Sequence, residues 1–315
     1  MLQSFFAGID VSQAQLDVAI SQGDEIQEFF SIPNTDDEIS KLIKKLNTCM
    51  PKLIVVEATG GLERSLVAYL AEAGLPIVVN NPRQIRDFGR AIGQLAKTDK
   101  IDARTMARFA AVIKPPQRPI KDAERLKLTD QVARRRQLVQ ILAQEKNRLL
   151  RAAGPVQEDI KHHIEYLEGR LEKSNKDIEQ LIKNTPIYQE TVDLLSTVPG
   201  IGPVTSASLV AYCPELGTLD RRQIAALIGT APFNKDSGTR TGVRCVWGGR
   251  KTIRTQLYMA TISAIKCNYK IKSFYQRLIS AGKKPKVAIT ACMRKLIVIL
   301  NAMVKQQKHW EASAA

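Results

Sequence analysis

The chain has 315 residues, a hydrophobic fraction of 44% and a formal net charge of +16, which leaves room for two or three compact domains of ordinary composition. No apolar run reaches transmembrane length, LIVILNAMV after Lys295 being far too short, and MLQSFFAGID lacks the basic start and long apolar core of a signal peptide. Cys49, Cys213, Cys245, Cys267 and Cys292 are scattered and odd in number, which argues for reduced thiols in a cytoplasm and against a disulfide framework.

Taken in order, FFAGIDV, QLDVAIS and EIQEFFSI read as three successive strands. Ile39, Leu42, Ile43 and Leu46 then fall at helical spacing from Asp36 onward. LIVVEA is an apolar strand, Leu62 to Ala73 a helix, PIVVN a further strand, and Pro82 opens another helix. Strands first and β/α alternation afterwards predict a mixed sheet with helices on its faces. The stretch KPPQRP marks a linker, so the first domain is expected over 1–117.

Residues 118–186 carry no strand signal and are expected to form a helical hairpin or coiled coil. Ile160, Ile164, Leu167, Leu171, Ile178 and Leu181 lie on a heptad stripe, with Ser174 in its one polar slot. That stripe predicts either a self-association surface or an internal arm. Arg134, Arg135 and Arg136 on the preceding helix either touch nucleic acid or form a solvated face. The last domain, 187–315, is expected to be mainly α. In it Pro199-Gly200-Ile201-Gly202 resembles a helix-hairpin-helix turn, where Gly200 and Gly202 would let backbone amides approach a phosphate; a plain helical corner fits the same residues. A polar, Gly-rich loop and three basic helices follow.

Charge is segregated. From Ser237 to Trp310 there are 16 Lys and Arg and no Asp or Glu, while the other 31 basic residues balance all 31 acids. A polyanion partner accounts for this better than solubility, since a one-signed surface repels itself. Candidate phosphate contacts are Lys235, Arg240, Arg244, Arg250, Lys251, Arg254, Lys283, Lys284, Lys286, Arg294 and Lys295. Aromatic residues make up 5% of the chain, which speaks against base stacking as the main mode of recognition.

Four acids stand out against this background: Asp10 in GIDVS, Glu57 in VVEATGG, and Asp99 and Asp102 in KTDKIDAR. Asp10 and Glu57 end apolar strands, where a carboxylate is costly unless it has a partner. Asp99 and Asp102, three apart, share a helix face. Hard divalent cations are the usual partners of converging carboxylates, so a Mg²⁺ site acting on phosphates is expected. With 3 His and no CxxC, structural zinc is not. An actin-like kinase would also place Asp10 at a strand end, but a second Gly-rich phosphate loop is missing from the sequence. Turn and helix-capping roles explain single acids of this set and leave the combination unexplained. Ser237, within KDSGTR, is by spacing either a turn residue or a hydroxyl activated by its basic flanks.

With these residues in place, GIDVSQAQLDVAI, VVEATGGLE, AKTDKIDARTMARF, VPGIGPVTSASLVA, APFNKDSGTRTG and GGRKTIRTQLYMA together resemble the DEDD transposases of bacterial insertion sequences, the insertion-sequence-110 family, over nearly the whole chain. The resemblance implies an α/β RNase H-like, RuvC-type N-terminal domain, a coiled-coil insertion and a C-terminal transposase domain. It implies that Asp10, Glu57, Asp99 and Asp102 are the metal-binding tetrad and that Ser237 is the nucleophile. Its further implications are double-stranded DNA and a structured guide RNA as partners, a homodimer or homotetramer, and a cytoplasmic, nucleoid-associated location. A RuvC-like endonuclease in which water attacks is the alternative.

Overall fold

The computed structural model describes residues 4–311 apart from 97, 118–122, 235, 238–241 and 243. It divides into two compact units, Met1–Ile120 and Lys121–Ala315.

The first unit is built on β1 (Phe5–Val11), β2 (Gln15–Gln22), β3 (Glu25–Pro33), β4 (Leu53–Glu57) and β5 (Ile77–Asn80), in the order β3-β2-β1-β4-β5. The first three pair antiparallel, while β4 and β5 run parallel to β1. Strands before alternation in the sequence thus produce the mixed sheet expected, with an RNase H-like order. Period-two alternation divides its side chains between two faces. Ala7, Ile9, Val11 and Ile54 face one apolar cluster, joined there by Ile39, Leu42 and Leu46 of α1 (Asp36–Cys49) and Leu66 and Leu70 of α2 (Arg64–Glu72). Phe6, Leu53, Val55 and Val78 face the other, with Ile85 of α3 (Pro82–Ala91) and Met106 and Phe109 of α4 (Asp99–Ile113).

The second unit opens with α5 (Ala123–Leu149) and α6 (Gly154–Lys183), which pack antiparallel. Leu138 and Leu142 meet Ile164 and Leu167 in one cluster, and Leu128 and Val132 meet Ile178 and Ile182 in another. Much of the stripe drawn on the sequence is therefore packed against α5 within the chain, as the internal-arm reading expects, while Ile160, Leu171 and Leu181 are only partly buried. The stripe also drifts: Ile182, not Leu181, is buried after Ser174 and Ile178, because a straight helix repeats every 3.6 residues and a heptad every 3.5.

Next come α7 (Pro186–Ser196), α8 (Pro203–Tyr212), α9 (Arg221–Ile228), a two-stranded ribbon of β6 (Pro232–Phe233) and β7 (Cys245–Val246), and then α10 (Lys251–Cys267), α11 (Tyr269–Ser280) and α12 (Pro285–Gln306). Contrary to the length judged from sequence, α12 is long and apolar enough to cross a membrane. Its buried face, with Cys292, Leu296, Ile297 and Leu300, instead forms the core of this unit together with Leu257 and Ala264 of α10.

Candidate active site and nucleic-acid interface

The acidic residues of the first unit are gathered by the sheet and by one helix laid across it. Ile9 pairs with Val56 in the parallel ladder, so Asp10 and Glu57 follow side by side at neighbouring strand ends. Both alternate onto the face that α4 covers. Gly8 sets how close α4 comes. A Cβ on Gly8 would meet the Ala107 nitrogen at 2.3 Å and the Ala103 carbonyl oxygen at 2.4 Å, so only glycine permits this approach. The same helix begins at Thr98, whose hydroxyl accepts the Ile101 amide at 3.3 Å, and it carries Asp99 and Asp102 in its first turn.

The electrostatics record this convergence. Asp10 is half-buried, and its pKa is raised from 3.8 to about 6, first by burial and then by the charges of Asp102, Glu57 and Asp99. One Asp10 oxygen accepts the Val11 amide at 3.1 Å, which opposes the rise only in part. Like charges held this way favour either a shared proton or a cation. The donor set fits a hard divalent ion, being oxygen only, although among the described residues no three acids are drawn into a chelating group. A groove of about 280 Å³ runs away from this point, with Glu57 and Asp102 at its wall and Arg86 and Arg90 of α3 beside them. Sequence reasoning passed over these arginines. Their signal was the three-to-four-residue spacing of Arg83, Arg86 and Arg90, which gives α3 one basic face. Asn80, level with Glu57 in the ladder, was also missed, and its buried Nδ2 lacks a hydrogen-bond partner among the described residues.

The second unit holds the expected serine and most of the expected cations. Ser237 is exposed, and Asp236 beside it accepts the Gly242 amide at 3.0 Å. Lys235 and Arg240 lie outside the described residues, and Arg244 is exposed. Lys251, at the start of α10, is exposed too, as are Lys283, Lys284 and Lys286 at the turn into α12. Arg294 is half-buried, and Lys295, also half-buried, stands 4.5 Å from the Phe274 ring centre.

Several other expected contacts are hydrogen-bonded within the chain. Arg250 donates to both oxygens of the buried Glu215, each at 2.6 Å, and to the Tyr212 carbonyl at 2.8 Å. Arg254 donates to the Gly248 carbonyl. Arg134 donates to Gln137 at 3.2 Å, Arg135 to Asn175 at 2.6 Å and Arg136 to Thr252 at 2.6 Å. Burial holds the Arg135 pKa below the usual guanidinium value. Gly200 has φ +94°, and a Cβ there would lie 2.6 Å from the Ala264 backbone, so that glycine serves packing against α10. Gly202 has open space around it and caps α8.

Comparison with known proteins places the chain among transposases. A family model described as transposase matches residues 7–153, and one described as Transposase IS116/IS110/IS902 family matches 192–276. Pilin gene-inverting proteins of Moraxella lacunata and Moraxella bovis are each 28% identical over 82% of this chain and 81% of theirs. An insertion element IS116 uncharacterized 44.8 kDa protein of Streptomyces clavuligerus is 25% identical over 48% of this chain and 37% of its own. Among solved structures, Thermus thermophilus RuvC in complex with Holliday junction substrate covers 34% of this chain and 92% of its own, with 14% identity and a TM-score of 0.28.

Proposed function

Since the chain belongs to the IS116/IS110/IS902 family of transposases and is a DNA recombinase, we propose that it exchanges DNA strands at the ends of its insertion sequence through a metal-bound acidic tetrad and a serine nucleophile. The observation that carries this reading is the raised pKa of Asp10, pushed up by burial and by the charges of Asp102, Glu57 and Asp99.

In this mechanism the four carboxylates would hold Mg²⁺, which would neutralise charge on the scissile phosphate. Asp10 and Glu57, fixed on neighbouring strands, set one side of the site, and α4 delivers Asp99 and Asp102 to the other. The Ser237 oxygen forms a bond to phosphorus as the bond from phosphorus to one DNA strand breaks; that strand leaves as a hydroxyl after taking a proton. A hydroxyl of the second strand then attacks the phosphoserine and releases Ser237, so no phosphodiester is lost to water. Exposed Lys251, Lys283, Lys284 and Lys286 hold DNA backbones. A structured RNA encoded by the element selects donor and target, two or four copies act together, and the work takes place in the cytoplasm on the nucleoid.

Labelled element-end DNA tests this. Wild-type protein with Mg²⁺ should leave label on the peptide containing Ser237 after denaturation and digestion. Ser237→Ala should bind the DNA and form neither adduct nor recombinant. Asp10→Asn should lose more activity than the roughly 10- to 100-fold typical of outer-shell changes at metal sites. Cleavage by Ser237→Ala with no adduct in the wild type would replace the serine by water.

A further inference from the structure

The ribbon that frames the Ser237 loop carries an exposed apolar surface that the mechanism above does not use. Phe233 stands opposite Cys245 in the ladder, and Trp247 follows directly after β7. Phe233 is 48% exposed, Val246 41% and Trp247 60%. Large exposed side chains along one ribbon mark an interaction site. What surrounds them in the sequence is basic. From Pro232 to Arg254 the chain holds Lys235, Arg240, Arg244, Arg250, Lys251 and Arg254 against one carboxylate, Asp236, and that one accepts the Gly242 amide. Arg244 and Lys251, which bracket β7 and Trp247 along the chain, are both exposed. A protein surface that covered this patch would have to be both apolar and acidic. An unpaired nucleotide meets both requirements, since its base offers an apolar face and its phosphate a negative charge.

We propose that Phe233 and Trp247 form a stacking platform for unpaired bases of a nucleic-acid strand, with Arg244 and Lys251 holding the phosphates of that strand. The low aromatic content of the chain conceals this, because composition averages over the molecule while stacking needs only two rings beside a few cations. The proposal rests on the recombinase reading for why a strand would be unpaired next to Ser237. The ligand chemistry itself does not depend on cleavage.

The test uses full-length protein carrying Trp310→Phe, which leaves Trp247 as the sole tryptophan of the 2 in the sequence. Its fluorescence is followed while a mixed-sequence single-stranded oligonucleotide is added, and binding is measured separately by anisotropy of a labelled oligonucleotide. Trp247 emission should be quenched in step with binding. Trp247→Ala should weaken single-strand binding by about 5- to 150-fold, the range for loss of one stacked base. Trp247→Phe should restore most of it, and binding of a fully paired duplex of equal length should change less than about twofold in either variant. Because Trp247 is exposed, Trp247→Ala should fold, and a thermal melt matching the wild type establishes that. Unchanged emission at saturating oligonucleotide would overturn the proposal. So would a fall in the protein's mass by light scattering for Trp247→Ala with nucleic-acid affinity intact, since the patch would then be a protein docking surface. A protein that quenches but never cuts would sink the recombination mechanism and leave this platform standing; one that cuts without quenching would do the reverse.

Discussion

A carboxylate that prefers its proton is a liability that a binding site accepts. Asp10, with its pKa raised from 3.8 to about 6, holds a proton more tightly in the folded chain than in the unfolded one. Folding stability should therefore fall as pH rises through that window and stay reduced above it. The rise from 3.8 to about 6 corresponds to about 3 kcal/mol unscreened. Solvent reaching the half-buried site should cut this to about 1 kcal/mol. Asp10→Asn in metal-free buffer should accordingly melt about 2–4 °C above the wild type at pH 7.5 and level with it near pH 4. Added Mg²⁺ should close the gap by stabilising only the wild type. A variant that melts lower at pH 7.5 would mean that burial and the neighbouring acids do not penalise the charged form of Asp10. Gly8 makes the opposite case. Gly8→Ala places a methyl against backbone that cannot turn aside, the Ala107 nitrogen and the Ala103 oxygen. Denaturant unfolding should show a loss of at least about 1–3 kcal/mol. The acids were legible in the sequence because a charge ending an apolar strand breaks a pattern. Gly8 was not, since its reason lies in a helix about a hundred residues further along, and a glycine beside a strand end looks like any other.

At the scale of elements, most of the helices and strands announced themselves by period, by proline at a start or by glycine at a stop. Asn81 and Pro82 open α3 in that way, the Asn81 side chain accepting the Arg83 amide at 2.9 Å. What period could not give is the partner of each apolar face. The stripe of α6 fits a second chain as well as it fits α5; only the structure shows Ile164 and Leu167 against Leu138 and Leu142. Polar contacts also cross between the two helices, with Lys146 to Glu168 at 2.7 Å and His163 to the buried Glu145 at 3.5 Å. Leu167→Ala should thus cost about 2–5 kcal/mol, as at other packed leucine sites. Changing Ile164, Leu167 and Leu171 to Glu together should melt the hairpin, seen as lost helicity and an earlier thermal transition. A folded variant with normal helicity and half the wild-type mass would instead restore the stripe as a contact between chains. The ribbon of β6 and β7 escaped notice because two-residue strands in a Gly-rich loop leave no alternation to read.

The whole molecule separates its charges by unit: acids that gather at one end of a sheet in the first, and a stretch free of acids in the second. Composition revealed that division, but it could not tell which cations are available. Arg250 counts as one charge in any tally, yet its guanidinium is held by Glu215 and Tyr212. Lys283, Lys284 and Lys286 are exposed. Replacing those three by Gln should lower the slope of log affinity against log salt by about 0.9 for each DNA phosphate that is no longer neutralised. Arg250→Gln should instead destabilise the unit, because it removes the two hydrogen bonds that Arg250 gives the buried Glu215, and it should leave the slope nearly unchanged; a steep drop in slope would assign Arg250 to DNA after all. The sheet order β3-β2-β1-β4-β5 has one more consequence, and it concerns time. Asp10 is synthesised early, but its neighbour Glu57 reaches it only when the chain has crossed back to lay β4 beside β1. The remaining two acids arrive with α4, after β5 has closed the edge. Such non-local pairings form late in folding. A nascent or half-folded copy should therefore lack an assembled acid cluster, which would form only as the last strands and helix of this unit settle.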